Sequence, residues 1–278
     1  MSLTLTGFDG KIALVTGAGR MRSIGRPIAV ALAQAGCDVV LTGTGKSPAL
    51  YPDDEKQAGW RDIESVADEI RALGRRALAL VSDVTDPVAV DTLADRIEAE
   101  FGRIDFVVNN AGSTRGKDRQ PVTTLPVEEW QRVIDTNLNG GFYMARAFAQ
   151  RMMKTGRGGA IVNISTLGTR LLAANTAAYV SSKAGINALT TILSGELGRH
   201  GIRVNAVSPG LIDTSRMDDM GRTDAWNGLV KSFIPLGRAG TGEDIAHMVA
   251  FLCSDQGSWI SGQNIYVDGG YTNVPLLF

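Results

Sequence analysis

The sequence predicts an α/β fold, a single-domain doubly wound parallel sheet with helices on both faces. Two observations carry this. Short apolar runs alternate strictly with longer helical patterns, the order that builds a parallel sheet wound on both sides. The first apolar run also leads through a glycine-rich turn straight into an apolar helix.

Lys11-Ile-Ala-Leu-Val-Thr16 lies between Gly10 and Gly17 and reads as a buried strand. Gly17-Ala-Gly-Arg-Met-Arg-Ser-Ile-Gly25 follows, then an apolar helix from Pro27 that is stopped by Gly36. Strand-like runs recur at Val39–Thr42, Ala77–Val81, Phe106–Asn109, Ala160–Ile164, Val204–Val207 and Asn264–Val267. Helical patterns fill the gaps at Ile63–Leu73, Val88–Phe101, Val127–Met153, Ala177–Arg199 and Glu243–Cys253. Gly43–Trp60 and Asp213–Phe233 are turn-rich and read as insertions or loops. No internal repeat or low-complexity segment interrupts the pattern.

Composition narrows the function classes. The 278 residues are 44% hydrophobic, ample for one core with helices on both sheet faces. The 28 basic and 29 acidic side chains nearly cancel, so charge gives no case for nucleic acid or an anionic membrane. Cys37 and Cys253 are far apart and read as packing residues in a reducing compartment, and neither His200 nor His247 has neighbours that suggest a metal. Met1–Gly10 carries no apolar run of a secretory signal, and no apolar stretch of ~20 residues is present to span a bilayer. A cytoplasmic protein without a metal is expected.

Chemistry enters at Tyr179-Val-Ser-Ser-Lys183. Residues four apart share a helix face. A phenol with a pKa of about 10 is a poor acid or base near neutrality, but a fixed positive charge beside it favours the phenolate. Taken alone, such a pair is most often a surface pair of a helix. Here it accompanies a hydroxyl pair, Ser165 and Thr166, at the end of a strand. It also accompanies the strand, glycine turn and helix at the N-terminus, an arrangement that presents backbone N–H groups to a pyrophosphate.

These pieces stand in one order: Thr16-Gly17 with Gly19 and Gly25, Asp83, Asn109-Asn-Ala-Gly112, Asn137, Ser165/Thr166, Tyr179/Lys183, Pro209-Gly210 and Asp268-Gly-Gly270. In that order and spacing the chain resembles the short-chain dehydrogenase/reductase family over nearly its whole length. The resemblance implies a Rossmann-like NAD(P)(H)-dependent oxidoreductase that interconverts a ketone and a secondary alcohol.

By the same resemblance Asn137, Thr166, Tyr179 and Lys183 are the catalytic set. Tyr179 exchanges the proton, Thr166 hydrogen-bonds the carbonyl oxygen, and Lys183 lowers the phenol pKa and binds the nicotinamide ribose. Asn137 links Lys183 to solvent through a water, with Asn139 as the neighbouring alternative. Gly17, Gly19, Arg22, Ser23, Ile24 and Gly25 would hold the pyrophosphate side. Asp83 and Val84 would hold the adenine, and Asn110, Ala111 and Gly112 would let the backbone approach the ribose. Pro209, Gly210, Ile212 and Thr214 would clamp the nicotinamide carboxamide.

Two departures from the family pattern matter. The glycine turn is two residues longer than usual and carries Ser23 where the middle glycine is expected, which leaves the loop path open. Related enoyl-thioester reductases share such a turn but space their tyrosine and lysine more widely, so the four-residue spacing favours carbonyl chemistry. The catalytic hydroxyl is expected 13 residues before the tyrosine, on Thr166, with Ser165 one residue away on the opposite face of the strand.

Cofactor choice turns on the end of the second strand. An acid there accepts from the adenosine ribose of NAD, and here the position is Gly43. Thr44, Lys46 and Arg22 would instead meet a 2′-phosphate, so NADP(H) is the preferred cofactor and NAD(H) the alternative. The substrate is a small carbonyl or alcohol compound, among them a 3-oxoacyl thioester, a keto sugar acid or a small cyclic ketone. Arg115, Lys117, Arg119 and Arg170 would favour an acidic group, although loop solvation explains such charges equally well. A non-catalytic dinucleotide sensor and an enoyl-thioester reductase are the rival readings. Apolar surface on Val127–Met153 and Ala177–Arg199, and on Trp259–Gly270 with the tail Val274–Phe278, predicts a closed symmetric assembly, and the family resemblance implies a homotetramer, with a dimer next.

Overall fold

The computed structural model describes residues 4–218 and 223–272; the tail Val274–Phe278 lies outside them. The chain begins with β1 (Ile12–Thr16), α1 (Gly25–Ala35) and β2 (Asp38–Gly43). The insertion after β2 contains a short helix, α2 (Asp53–Gln57), before α3 (Ile63–Ala72), β3 (Ala77–Val81), α4 (Pro87–Phe101) and β4 (Phe106–Asn109). Then come α5 (Val127–Ile134), α6 (Gly140–Thr155), β5 (Gly159–Ile164), α7 (Ala177–Leu197) and β6 (Ile202–Pro209). The final elements are α8 (Asp224–Phe233), α9 (Gly242–Cys253) and β7 (Asn264–Val267).

All seven strands are parallel, in the order β3-β2-β1-β4-β5-β6-β7. Every residue of β1 is buried, as expected of a parallel strand covered on both faces. Its side chains alternate between two apolar layers. Ala13 and Val15 join Ile28 and Leu32 of α1, Val66 and Ile70 of α3, and Ile245 and Val249 of α9. Ile12 and Leu14 face Leu93 and Ile97 of α4 and Met144 and Phe148 of α6. The two layers fix which face of each helix is inward, and hence which ends converge.

Strand order reverses between β1 and β4, so the crevice beyond their carboxyl ends is where a ligand fits. The turn after β1 and Asn110–Gly112 after β4 both border that crevice. The helix expected over Val127–Met153 is broken by a π-helical turn at Asp135–Asn139 between α5 and α6. Gly141 and Ile186 explain part of the close approach of α6 to α7, since a Cβ on Gly141 would lie 2.6 Å from the Ile186 Cδ1. The stretch expected as loop at Asp213–Phe233 contains α8, whose Trp226 and Val230 pack with Ile234 in a small separate apolar cluster. Residues 219–222 of that stretch lie outside the described residues.

Candidate active site

The glycine turn is built by close packing. Gly17 has φ 66°, and a Cβ there would sit 2.9 Å from the Ala111 Cα, so only glycine both adopts this backbone and clears the segment after β4. Thr16 Oγ1 accepts from the backbone N–H groups of Asn110 (3.0 Å) and Ala111 (2.9 Å). The Asn110 side chain donates to the carbonyls of Thr16 (2.8 Å) and Gly17 (3.0 Å) and lies where a Cβ on Gly25 would fall, at 2.6 Å. The turn, Asn110 and the start of α1 therefore form one cradle. Its bare glycines and the α1 N-terminus suit a dinucleotide pyrophosphate.

Two side chains expected to face a bound phosphate are engaged within the protein. Ser23 Oγ donates to the Arg20 carbonyl (2.8 Å) and accepts from the Arg26 N–H (3.2 Å), so the hydroxyl closes the lengthened turn on itself. Arg22 is held by Asp54 (2.7 Å) and by Asp218 (2.5 Å), and it is not offered to a phosphate. These acids push the guanidinium pKa further up, Asp218 most, against partial desolvation. Arg20 and Arg26 are likewise paired, with Glu55 (2.7 Å) and Glu69 (2.8 Å). Among the other expected contacts, Thr44 and Lys46 are exposed. Asp83 is also exposed, and its Oδ1 accepts from the Thr85 N–H and hydroxyl, while Asp86 caps α4. Val84 is buried beneath it.

The segment after β6 returns to the turn. Pro209 ends β6, and a Cβ on Gly210 would lie 2.5 Å from the Asp268 Cα. Ile212 pairs with Gly240 in a short parallel bridge, and Thr214 is buried. The next residue, Ser215, donates its N–H (2.9 Å) and hydroxyl (3.1 Å) to the Arg22 carbonyl. Ile24 packs against the core beside this contact.

At the far end of the crevice, α7 presents Tyr179 and Lys183 on one face. Lys183 is buried and donates from Nζ to the Ile164 carbonyl at 2.7 Å. Burial lowers its pKa and Arg216 lowers it further, with Tyr179 opposing. Thr166 lies beside the Tyr179 phenol and helps to lower its pKa, while its Oγ1 accepts from the Gly168 N–H at 3.2 Å. Ser165 is buried on the other side of the strand end, where its Oγ reaches the Lys183 carbonyl at 3.5 Å. Strand alternation thus separates the two hydroxyls, with Thr166 on the side of the phenol.

Burial alone would raise the Tyr179 pKa, yet the net direction is downward. Arg216 contributes most to the lowering, followed by Lys183, Thr166 and Arg119. The guanidiniums of Arg216 and Arg119 lie 4.9 and 4.5 Å from the centre of the tyrosine ring. A phenol so surrounded can give or take a proton closer to neutrality than a free one.

Asn137 sits in the π-helical turn and faces inward. Its Oδ1 accepts from the Ser113 N–H (2.8 Å), and its Nδ2 donates to the Ser182 hydroxyl (2.9 Å). Asn139 instead bonds Asp135 on its own helix. A cavity of about 10 Å³ lies between Asn137 and Lys183, bordered also by Thr136, Asn109 and Asn163. Apolar side chains, among them Val84, Met144 and Ile186, also line it, and its volume is at the lower limit for one water, with the polar groups of Asn137 and Lys183 as partners.

Two of the comparisons with known proteins give the same picture of relatedness. A family model described as enoyl-(acyl carrier protein) reductase matches residues 17–272. The chain is 37% identical over 265 residues to the 3-oxoacyl-[acyl-carrier-protein] reductase FabG of Escherichia coli (strain K12), covering 95% of this chain and 98% of the relative. The chain belongs to the short-chain dehydrogenase/reductase family. It is also 32% identical to the 2-dehydro-3-deoxy-D-gluconate 5-dehydrogenase of the same organism over 273 residues, 98% of this chain and 99% of that one. Among solved structures, carveol dehydrogenase from Mycobacterium avium in complex with NAD superposes with a TM-score of 0.86 at 30% identity, covering 96% and 99% of the two chains.

As a member of this family, the protein is an NAD(P)(H)-dependent oxidoreductase acting on CH–OH and C=O groups. The enoyl reductase reading is not favoured, since the relatives are named for ketone and alcohol chemistry. Several residues at this family member's site escaped the sequence reading. Arg216 follows a segment whose helical pattern is weak, so nothing local tied it to Tyr179. Glu55, which accepts from Arg20 and the Met21 N–H (2.7 Å), and Trp60, whose indole donates to the Gly19 carbonyl (2.6 Å), lie in the insertion. Among the described residues no cluster of metal-ligating side chains occurs and no helix is long and apolar enough to cross a membrane.

Proposed function

We propose that this oxidoreductase interconverts a ketone bearing an acidic group and the corresponding secondary alcohol, with Tyr179 as the general acid and base. The observation that carries the reading is the phenol set beside Thr166 and Lys183 and covered by Arg119 and Arg216. The bound nicotinamide supplies or accepts the hydride. Thr166 donates to the substrate oxygen and holds it beside the phenol. In reduction Tyr179 delivers the proton to that oxygen; in oxidation its phenolate removes it. Lys183 keeps the phenol acidic, and Asn137 with the adjacent cavity supports a proton path to solvent through one water.

The acidic group is supported by Arg216, whose Nη2 is buried without a hydrogen-bond partner among the described residues. A carboxylate near the ketone satisfies that donor in the bidentate manner favoured by guanidinium. The 3-oxoacyl thioester of the FabG relative and the keto sugar acid of the gluconate relative mark the two substrate classes to compare. The test is a panel of ketones with NADH and NADPH, each keto acid paired with its neutral amide. The keto acids are expected to react with kcat/KM at least ~10-fold above their amides. Equal rates would remove the acidic-group reading, and no ketone turnover at all would leave a dinucleotide sensor.

For the cofactor, Gly43 with Thr44 and Lys46 supports NADP(H), but the pairing of Arg22 with Asp54 and Asp218 takes away the third support. A cytoplasmic, reducing setting is supported by the two buried free thiols; burial pushes Cys253 up to about 12 and Cys37 higher still. The stretch 213–233 is proposed as the substrate loop of one catalytic domain spanning 1–278. A homotetramer, or failing that a dimer, is supported by exposed apolar side chains on the outer helices, Phe142 of α6 and Ile192 of α7, and by Trp259 ahead of β7, which is 97% exposed. Light scattering at micromolar concentration is expected to give four times the 29.5 kDa of one chain. A mass near one chain would remove the assembly.

A further inference from the structure

The end of β2 lacks an acid in sequence but not in space. The insertion that follows β2 folds back over the glycine turn. Buried Glu55 accepts from Arg20 and the Met21 N–H, and the Trp60 indole donates to the Gly19 carbonyl. These contacts return the chain at Asp62 to the mouth of the crevice. A Cβ on Gly19 would land on the Asp62 carboxylate, and one on Gly43 would lie 3.4 Å from its Oδ2. The carboxylate therefore fills the angle between the first turn and the end of β2, the place from which an acid reads the adenosine ribose.

Three further features set Asp62 apart from an ordinary helix-capping aspartate. It is the residue before α3, yet its side chain makes no capping hydrogen bond. Its backbone has φ 54° and ψ −133°, a conformation glycine tolerates and a side chain does not favour. Among the described residues it forms no ion pair, and the nearest cations are Arg20, already committed to Glu55, and Lys46. Half-buried and aimed inward, the carboxylate has acceptor capacity unused by the protein.

We propose that Asp62 is the cofactor-discriminating acid of this enzyme: it accepts hydrogen bonds from the adenosine ribose hydroxyls of NAD(H) and repels the 2′-phosphate of NADP(H). This rests on the reading of the glycine turn as a dinucleotide site, and it replaces the expectation of NADP(H) drawn from Gly43. The pairing of Arg20, Arg22 and Arg26 with acids fits it, since none of the three is left for a phosphate.

Equilibrium binding of NADH and NADPH, read by nicotinamide fluorescence or calorimetry without substrate, tests it. The wild type is expected to bind NADH at least ~10-fold more tightly than NADPH. Asp62→Asn keeps the shape, tolerates the positive φ and removes the charge. It is expected to weaken NADH, strengthen NADPH and move the ratio by ~10-fold or more. Asp62→Gly relieves the backbone and guards against misfolding; its melting temperature is expected at or above that of the wild type, with the same change in ratio. A wild type that prefers NADPH, or a ratio unmoved in both variants, overturns the role of Asp62 while leaving the dinucleotide site intact. If the wild type binds neither nucleotide, the site itself is misread and the role of Asp62 falls with it.

Discussion

Tyr179→Phe is expected to reduce turnover by at least ~10²-fold while leaving dinucleotide affinity largely unchanged. The substitution keeps the ring that Arg119 and Arg216 cover and removes only the oxygen that exchanges the proton. The pH profile gives a second, independent reading. Because Arg216, Lys183, Thr166 and Arg119 together outweigh burial, the phenol titrates below its ordinary value. Alcohol oxidation requires the phenolate, so its kcat/KM rises with pH until that lowered value is passed. Ketone reduction requires the protonated phenol and declines over the same range. Both limbs are expected to vanish in the phenylalanine variant. A near-normal rate with an unchanged profile would falsify the assignment of Tyr179 as the acid.

Thr166→Val is expected to cost ~10²–10³-fold in kcat, the usual loss when one donor to a developing oxyanion is removed. Valine preserves the branched shape, so the loss isolates the hydroxyl. It also removes the contribution of Thr166 to lowering the phenol pKa in the free enzyme, so the oxidation limb is expected to move to higher pH. Ser165→Ala serves as the comparison. Its hydroxyl reaches only the Lys183 carbonyl, at 3.5 Å, and its loss is expected to leave turnover within a few-fold of wild type. The reverse result, with Ser165→Ala inactive and Thr166→Val active, would exchange the two roles.

Much of the architecture was legible because it is local. Burial on both faces makes β1 a continuous apolar run, and the helices carry their own stops, such as Gly36 after α1 and Gly102 after α4. The break at Asp135–Asn139 was less visible. Asn137 inside a helical pattern, at a position where the family resemblance implies a distorted helix, marked the place, but its partners Ser113 and Ser182 come from other elements. The insertion was legible as polar and turn-rich, but α2 depends on Glu55 being buried against Arg20 and Met21. No pattern within the insertion announces that contact.

By itself the sequence determined the parallel α/β plan, the glycine turn at the first strand, and a tyrosine and lysine on one face of one helix. Each follows from a spacing of a few residues, because strand alternation and the helical turn repeat over that distance. The tertiary structure alone decided that the Ser165 hydroxyl turns to the Lys183 carbonyl, which arginines surround the phenol, and that Arg22 is bound to acids. It also brought Asp62 to the bare faces of Gly19 and Gly43. The physical reason is common to all four: charge and hydrogen bonding act across a few ångströms of space, and at this site those ångströms join segments far apart in the chain.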